Sequence, residues 1–325
     1  HTNLSEALTG LTSNSELEGD AKKQSDQLRA AVIDGIPLVS MLRRLDLQGS
    51  QGSLRHAEQA VRRLLFSWSE ASDPESSTRL LKLQRLMREK AGFAGQGNNH
   101  VERVDVLAEL GIDHEDVLYP TPDAFPPVEN PISRPIAKVI LEAAVTSKLP
   151  ILIHGAGGTG KTVLMQAVAD HLPSHQHAVI FDGFGAGKWR DPEDGRHLPN
   201  RTLVHLANLL AGEGLCDLLL PTSDIVGLVA AFRRRLVQAV GTLRQSDGKS
   251  GVVLILDAID HAGMEARDTG SRSFAHLILK SVSIEPIDGV TVISSCRTER
   301  RDLAIGSATV HQIEVPAFSD DEVRE

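Results

Sequence analysis

The residues best suited to chemistry lie in one glycine-rich turn, Gly155-Ala-Gly-Gly-Thr-Gly-Lys-Thr162. Glycines allow consecutive backbone N–H groups to converge on an anion, because a side chain there would block its approach or forbid a positive φ. The pattern Gly-x4-Gly-Lys-Thr adds the ammonium of Lys161 and the hydroxyl of Thr162 at the start of a helix, whose N-terminus also favours negative charge. The spacing therefore predicts a phosphate-binding loop, whereas a glycine-rich turn that binds nothing is the alternative.

This loop supplies most of the predicted contacts to ATP and Mg²⁺. We expect the ammonium of Lys161 to reach the β- and γ-phosphates and the hydroxyl of Thr162 to take one position on Mg²⁺. Arg134 is added because residues ahead of such a strand often lie over the base and ribose, although a plain linker at 132–135 is an equally good interpretation. The predicted nucleotide-binding residues are Arg134, Gly155, Ala156, Gly157, Gly158, Thr159, Gly160, Lys161 and Thr162.

A carboxylate at the end of a second apolar run is the expected partner of the loop. Gly251-Val-Val-Leu-Ile-Leu-Asp257 has five consecutive aliphatic residues, as in a parallel strand buried on both faces. Asp257 stands where an acid would hold Mg²⁺ through its waters, unless it has purely structural partners of its own. Asp260 can face the same site and position a water or sense the γ-phosphate, and His261 could do so too.

An arginine ends the next predicted strand, 289–297. Arg297 beside a triphosphate would stabilise the charge of the γ-phosphate, although a surface ion pair is the alternative. Arg300 or Arg301 could act across a subunit contact, but surface ion pairs explain these two more simply. The predicted catalytic residues are Lys161, Asp257, Asp260 and Arg297, and the predicted metal ligands are Thr162 and Asp257.

Alternating strands and helices must position these groups. Five apolar strands are predicted, starting with the one that leads into the phosphate loop from Ile151 and continuing at 177–182, 251–257, 289–297 and 310–315. Their alternation with amphipathic helices predicts an α/β fold, namely the three-layer P-loop NTPase sandwich with a five-stranded, mainly parallel sheet. Within it, the basic run Arg233-Arg234-Arg235 is expected on the solvent face of a helix.

The N-terminal third predicts a different architecture. Residues 1–118 show helical periodicity and no strand pattern, which predicts an all-α linking region. Helices are expected at 53–69, from Pro74 to about Gly92, and around 104–110.

A proline-rich stretch separates this region from the sheet. Six prolines between 119 and 135 force extended backbone and predict a linker. The predicted NTPase domain is therefore 136–325, with Pro135 at the start of its first helix.

Composition limits the classes of partner. A formal net charge of −9 argues against a general nucleic-acid binder, and no apolar stretch approaches the length of a membrane span. The two cysteines, Cys216 and Cys296, are expected to be buried thiols in a reducing cytoplasm. The chain begins without Met or a leader and ends in the first turn of a helix, so we expect it to be part of a longer protein.

Three motifs resemble one branch of the P-loop NTPases. They are Asp257-Ala-Ile-Asp260, Val292-Ile-Ser-Ser-Cys-Arg297 and Val315-Pro-Ala-Phe-Ser-Asp-Asp-Glu322. From about residue 130 onward the chain is similar to the NACHT and NB-ARC branch of the STAND NTPases, which carry an acidic strand end, an arginine-ended sensor strand and a proline-led lid in this order. Asp182-Gly-Phe-Gly-Ala-Gly187, Arg196-His197 and the segment after Asp257 more loosely resemble bacterial antiviral STAND (Avs-like) proteins.

The resemblance implies an ATP-gated switch. It implies a homo-oligomer on activation, an N-terminal effector and a C-terminal sensor of a protein trigger, with the helical region as the link. Family members often have a second acid where this chain has His261, which implies slow, regulatory hydrolysis. An AAA+-like remodelling ATPase, a small-molecule kinase and an inactive P-loop scaffold remain the alternatives.

Overall fold

The computed structural model describes residues 74–92, 101–120, 132–246, 251–320 and 322, and two short strands near the N-terminus. The chain divides into two compact units, His1–Val61 and Arg62–Glu325. In the first unit, Val32–Ile33 pairs antiparallel with Ile36–Pro37. The expectation of an N-terminal region without strands is wrong here. The overlooked signal is Asp34-Gly35, because an Asp-Gly pair between apolar residues is typical of a hairpin.

The second unit contains a five-stranded parallel sheet. Its strands are β1 (Ile151–Gly155), β2 (Gln176–Asp182), β3 (Gly251–Asp257), β4 (Val290–Arg297) and β5 (His311–Glu314). The strand order is β2-β3-β4-β1-β5, and every neighbouring pair is parallel. The five predicted strands are confirmed, and β4 lies between the phosphate-loop strand and the strand that ends in Asp257.

Helices cover both faces of this sheet. The helices of the described residues are α1 (Pro74–Gly92), α2 (Arg103–Glu109), α3 (Ile136–Thr146), α4 (Lys161–Asp170), α5 (Pro199–Gly212), α6 (Ile225–Ser246), α7 (Asp260–Thr269), α8 (Phe274–Ile284) and α9 (Arg301–Ile305), of which α1 and α2 belong to the helical region before the sheet. Short 3-10 turns occupy Glu115–Leu118, Gly185–Arg190 and Thr298–Arg300. The helices predicted near 74–92 and 104–110 are confirmed, and the one predicted at 53–69 lies outside the described residues.

The core consists of two aliphatic layers, one on each face of the sheet. Along β3, Val252, Leu254 and Leu256 pack into one layer with α5, α6 and α8. Val253 and Ile255 pack into the other layer with α3 and α4. The alternation follows from the two-residue period of a strand, and burial on both faces explains the unbroken aliphatic run. The predicted three-layer sandwich is confirmed.

The described helical region packs against the sheet domain through α5. Its apolar cluster consists of Leu80, Leu110, Ile112, Leu118 and Leu220. The buried amide of Asn208 donates to the carbonyls of Leu118, at 2.9 Å, and Leu219, at 3.0 Å, and accepts the N–H of Leu219 at 2.7 Å. Because a buried amide is costly to leave unpaired, this network fixes residue 118 to α5.

The prediction that the basic run 233–235 lies on the solvent face of α6 is wrong in part. Arg235 is only 2% exposed, and its guanidinium donates to the carbonyl of Leu218 at 3.0 Å. Arg233 donates to Ser281 at 2.9 Å, whereas Arg234 is exposed as expected. The difference arises because backbone carbonyls in the connection after α5 need donors when they are buried.

The sequence contains no apolar stretch as long as a membrane span, and the structure allows the helices to be considered separately. Within the described ranges, no helix combines the length and the apolar character needed to cross a bilayer.

Candidate functional site

The predicted chemical residues converge at the carboxyl edge of the sheet, where β1, β3 and β4 end. A cavity of about 550 Å³ at this edge is lined by Lys161, Thr162, Asp257, Asp260 and Arg297, together with loop glycines. Ligands of open parallel α/β sheets bind at this edge. The structure thus brings together all four predicted catalytic residues and both predicted metal ligands.

The phosphate loop has the backbone that its glycines permit. Gly158 and Gly160 have φ of 80° and 73°, and α4 begins directly after Gly160. A Cβ placed on Gly157 would lie 3.9 Å from the guanidinium of Arg297, so the loop and the end of β4 face each other closely. The N-terminal N–H groups of α4 and this arginine therefore border the same space.

Lys161 is held over the loop by backbone oxygens. Its Nζ donates to the carbonyls of Ala156, at 2.8 Å, and Gly155, at 2.9 Å. Burial lowers the pKa of the ammonium, while the nearby carboxylate of Asp257 opposes that shift. Phosphate oxygens are stronger acceptors than carbonyls, so an anion at the loop would compete for these hydrogen bonds.

Asp257 is held between two hydroxyl groups. Its Oδ2 accepts from Thr162 Oγ1 at 2.6 Å, and its Oδ1 accepts from Ser295 Oγ in a short hydrogen bond. Burial raises the pKa of Asp257, and the two hydroxyl hydrogen bonds oppose that shift because they favour the ionised form. Ser295 was missed by sequence reasoning, although two serines inside an aliphatic strand were a visible signal.

The donor set of this pair fits Mg²⁺. Carboxylate and hydroxyl oxygens are the hard ligands that this ion prefers, and Mg²⁺ keeps waters and phosphate oxygens for its other positions. Thr162 and Asp257 already share a hydrogen bond, so their oxygens lie within reach of one ion. In the described residues, no group of three or more His, Cys, Asp or Glu side chains could hold a metal by itself.

Asp260 and His261 form the far wall of the cavity. Asp260 is 1% exposed, and its Oδ2 accepts from Arg300 Nη1 at 3.3 Å. The Nδ1 of His261 donates to the carbonyl of Ala258 at 3.2 Å. Burial lowers the pKa of His261, which favours the neutral ring. The N–H on Nδ1 then leaves the lone pair on Nε2.

Two aromatic side chains flank the His261 ring. Its centroid is 4.6 Å from the ring of Trp189 and 5.2 Å from that of Phe184. Phe184 also lines the 550 Å³ cavity. The segment after β2 therefore forms the roof of the phosphate side of the site.

Arg297, the last residue of β4, and Arg301 have different surroundings. Arg297 is exposed and lines the cavity. Arg301 donates to the carbonyl of Thr298 at 3.1 Å and to Gln312 at 3.2 Å, away from the cavity lining.

Arg134 lies beside the loop but has protein partners. Its Nη1 donates to the carbonyl of Thr159 at 2.9 Å, its Nε donates to Glu322 at 2.9 Å, and its Nη2 donates to the carbonyl of Pro316 at 3.1 Å. The guanidinium carbon also stands 4.4 Å from the ring centre of Phe318. Arg134 therefore connects the phosphate loop to the segment after β5, contacts that sequence reasoning did not find.

A second cavity, whose lining contains fewer charged residues, adjoins the first. It measures about 790 Å³ and is lined mainly by residues 132–141, by α4 and by Phe318, with Gly160 at the border of both cavities. The segment 132–135, predicted as a candidate for base contact, forms one of its walls. The site thus has one half rich in charged side chains and one half with few of them, joined at the phosphate loop.

Arg196 supports the roof segment from beneath. It is 1% exposed and donates to both carboxylate oxygens of Asp194 at 2.7 Å, and to the carbonyl of Asp182 at 2.7 Å. Gly185 packs so closely on the guanidinium that an added Cβ would overlap it at 1.8 Å. Sequence reasoning noted these residues as motifs but not as a structural unit.

Both cysteines are unsuited to nucleophilic chemistry. Each is a free thiol, and burial raises the pKa of Cys216 and of Cys296 to about 12. The expectation of unreactive thiols agrees with these environments.

The NACHT domain family model matches residues 149–325, which is more than half of the chain and contains the whole sheet. The chain belongs to the NACHT family. A NACHT domain is a STAND-class P-loop NTPase domain, so this chain has a nucleotide-binding domain of the switch type. The resemblance noted in the sequence is confirmed at this level.

Solved structures provide one further comparison for this NACHT domain. The ORC2 protein of Aeropyrum pernix, solved as ADPNP–ADP complexes, is similar with 12% identity and a TM-score of 0.41, over 64% of this chain and 52% of that chain. The chain therefore spans about half the length of that protein. No curated protein matches this chain.

Proposed function

We propose that this NACHT domain binds ATP with Mg²⁺, hydrolyses it slowly and acts as a molecular switch. The observation that carries the proposal is the two-part site. A cavity with few charged side chains, large enough for a nucleoside, adjoins a cavity that contains Lys161, Asp257 and Arg297. A triphosphate placed along the glycine-rich loop would connect the two cavities, since Gly160 borders both.

Each side chain has a separate task in the proposed reaction. The loop N–H groups and Lys161 bind the phosphates, and Arg297 stabilises charge on the γ-phosphate. Thr162 and Asp257 would hold Mg²⁺, which when bound neutralises phosphate charge. Asp260 orients the attacking water.

Slow turnover follows from the surroundings of Asp260. Its carboxylate is shared with Arg300, and the neighbouring position is the neutral ring of His261 instead of a second acid. With one Asp260 oxygen held by Arg300 and no second acid beside it, fewer carboxylate oxygens are available to activate water. An ATP state that persists is what a switch requires, because the γ-phosphate distinguishes its two states.

The contacts of Arg134 support gating of the segment after β5. The guanidinium of Arg134 contacts Thr159, Pro316 and Glu322 together. A movement of the loop at Thr159 would therefore change the contacts of the segment after β5. We propose that the bound nucleotide acts through this segment to control assembly into a homo-oligomer, which in turn activates an effector. The trigger is proposed to be a protein bound by a C-terminal sensor.

Particle mass with ATP, ADP and neither nucleotide tests the switch. Mass photometry of the complete protein with its trigger should show a larger species with ATP, and a Lys161→Ala variant should lose it. Lys148→Ala, which removes a lysine ahead of β1, serves as the matched control. Rapid steady-state turnover without a change of mass would contradict the proposal and favour a remodelling motor.

The resemblance to antiviral STAND proteins supports a role in bacterial antiphage defence. Bacteria that carry the complete reading frame should survive infection by a triggering phage better than bacteria that carry the Lys161→Ala form. Equal survival across a broad phage panel would count against this role.

A further inference from the structure

The side chains of two successive serines on β4 lie on opposite faces of the sheet. Ser294 is fully buried, and its hydroxyl donates to the carbonyl of Ile151 at 3.0 Å. Ser295 is 1% exposed, and its hydroxyl donates to Asp257 Oδ1. A hydroxyl in an aliphatic strand is costly unless it is paired, so both serines have assigned partners. Of the two, Ser295 is the one that contacts the predicted metal site.

Ser295 also fixes the turn that follows Asp257. Its Oγ accepts the N–H of Ala258 at 3.0 Å, and its carbonyl accepts the N–H of Ile259 at 2.9 Å. Ala258 has φ of 51°, a left-handed conformation that residues with a Cβ seldom adopt. One residue therefore holds both the carboxylate and the unusual backbone next to it.

The sheet order makes this arrangement possible. Because β4 lies between β1 and β3, Ser295 reaches the carboxylate from the β4 side while Thr162 of α4 contacts the other oxygen. With one hydroxyl on each oxygen, rotation of the Asp257 carboxylate is restrained. Mg²⁺ demands near-ideal octahedral geometry, so the direction of each oxygen matters.

We propose that Ser295 is a positioning residue whose hydroxyl orients the Asp257 carboxylate for Mg²⁺ and thereby makes Mg²⁺–ATP the tightly bound form. The inference rests on the proposed binding of ATP and Mg²⁺. Free ATP should depend little on Ser295, since the loop N–H groups and Lys161 bind phosphate without the carboxylate. The effect of Ser295 should therefore appear as a change in how strongly Mg²⁺ improves ATP affinity.

Calorimetric titration of ATP in EDTA and in MgCl₂ measures this improvement. In Ser295→Ala, the Mg²⁺-dependent gain in affinity should fall about tenfold or more, as for other residues that orient metal ligands, while affinity in EDTA stays unchanged. Ser295→Thr keeps the hydroxyl and should retain most of the gain. Ser294→Ala removes an equally buried hydroxyl from the same strand and should retain all of it.

The outcomes separate this inference from the proposed function. A full Mg²⁺ gain in Ser295→Ala, or equal losses in Ser294→Ala and Ser295→Ala with and without Mg²⁺, would overturn the positioning role alone. Absence of ATP binding by the unchanged chain would overturn both. If thermal unfolding shows that Ser295→Ala does not fold, Ser295→Cys replaces it, because a thiol has similar shape but donates weakly; an undiminished Mg²⁺ gain there would again overturn the role.

Discussion

Arg134 and Glu322 are 188 positions apart, yet they form an ion pair with a 2.9 Å N–O distance beside the phosphate loop. The side chains are 4% and 16% exposed, so water screens them less than an ordinary surface pair. Because Arg134 also contacts the carbonyl of Thr159, the pair joins the segment after β5 to the nucleotide site. The segment after β5 is thereby connected to the loop that would contact phosphate.

Replacement of Glu322 by glutamine should lower the free energy of unfolding at pH 7 but not in strong acid. The hydrogen bond from Arg134, followed by that from the Ser319 N–H, lowers the pKa of Glu322 from 4.5 to about 2. A lowered folded-state pKa stabilises the fold above pH 4.5, and this contribution is lost as the pH falls from 4.5 toward 2.

Denaturant titrations of Glu322→Gln across that pH window test the expectation. The difference in unfolding free energy between Glu322→Gln and the unchanged chain should become smaller as the pH falls. Asp320→Asn removes an exposed charge two positions away and should show no comparable pH dependence. A difference that is constant from pH 7 to pH 2 would contradict the ionic origin.

Replacement of Arg297 by alanine should reduce affinity for ATP more than affinity for ADP. The side chain lines the phosphate cavity, and a hydrogen bond to a charged group contributes about 1.5–3 kcal/mol, which corresponds to roughly 10- to 150-fold in affinity for ATP. Competition binding with both nucleotides measures the ratio. Arg301→Ala is the matched control, since its guanidinium contacts Thr298 and Gln312. Equal effects of the two replacements on the ratio of ATP to ADP affinity would contradict a contact between Arg297 and the γ-phosphate.

Replacement of Asp260 by asparagine should separate hydrolysis from binding. Asparagine preserves size but accepts a proton poorly, so turnover should fall about 100-fold, within the usual range for acid–base groups. Affinity for ATP should remain nearly unchanged because Thr162 and Asp257 are intact. Phosphate release and nucleotide binding are measured on the same samples. Asp268→Asn, on the same helix but exposed, should affect neither quantity.

Replacement of Gly185 by alanine should destabilise the fold far more than replacement of Gly187. Both glycines have positive φ, 54° and 96°, so each change adds roughly 1–3 kcal/mol of backbone strain. At Gly185 the new Cβ would also overlap Arg196, whereas Gly187 has open space around it. We expect an additional loss of about 1–3 kcal/mol for Gly185→Ala, as in other overpacked sites. Equal unfolding free energies for the two variants would exclude the packing contribution.

The sequence determined the features whose signal is local. The phosphate loop is contiguous, so its glycines, Lys161 and Thr162 specify its backbone and chemistry without distant partners. The aliphatic run before Asp257 identified a strand buried on both faces, because hydrophobic periodicity depends only on neighbouring residues. Membership of the α/β class followed from the alternation of such segments. The backbone of the loop, the buried strand and the α/β class agree with the structure, and the chemistry of Lys161 and Thr162 stays a prediction.

The tertiary structure decided which distant residues meet. Periodicity does not fix the order of strands, so the position of β4 between β1 and β3, and with it the contact of Ser295 with Asp257, emerged only in the fold. The sequence predicts that Arg134 contacts the nucleotide and that Arg235 faces solvent, but both donate hydrogen bonds to carbonyls of distant segments. The sequence thus determined the loop and its chemistry, and long-range packing decided which side chains orient its partners.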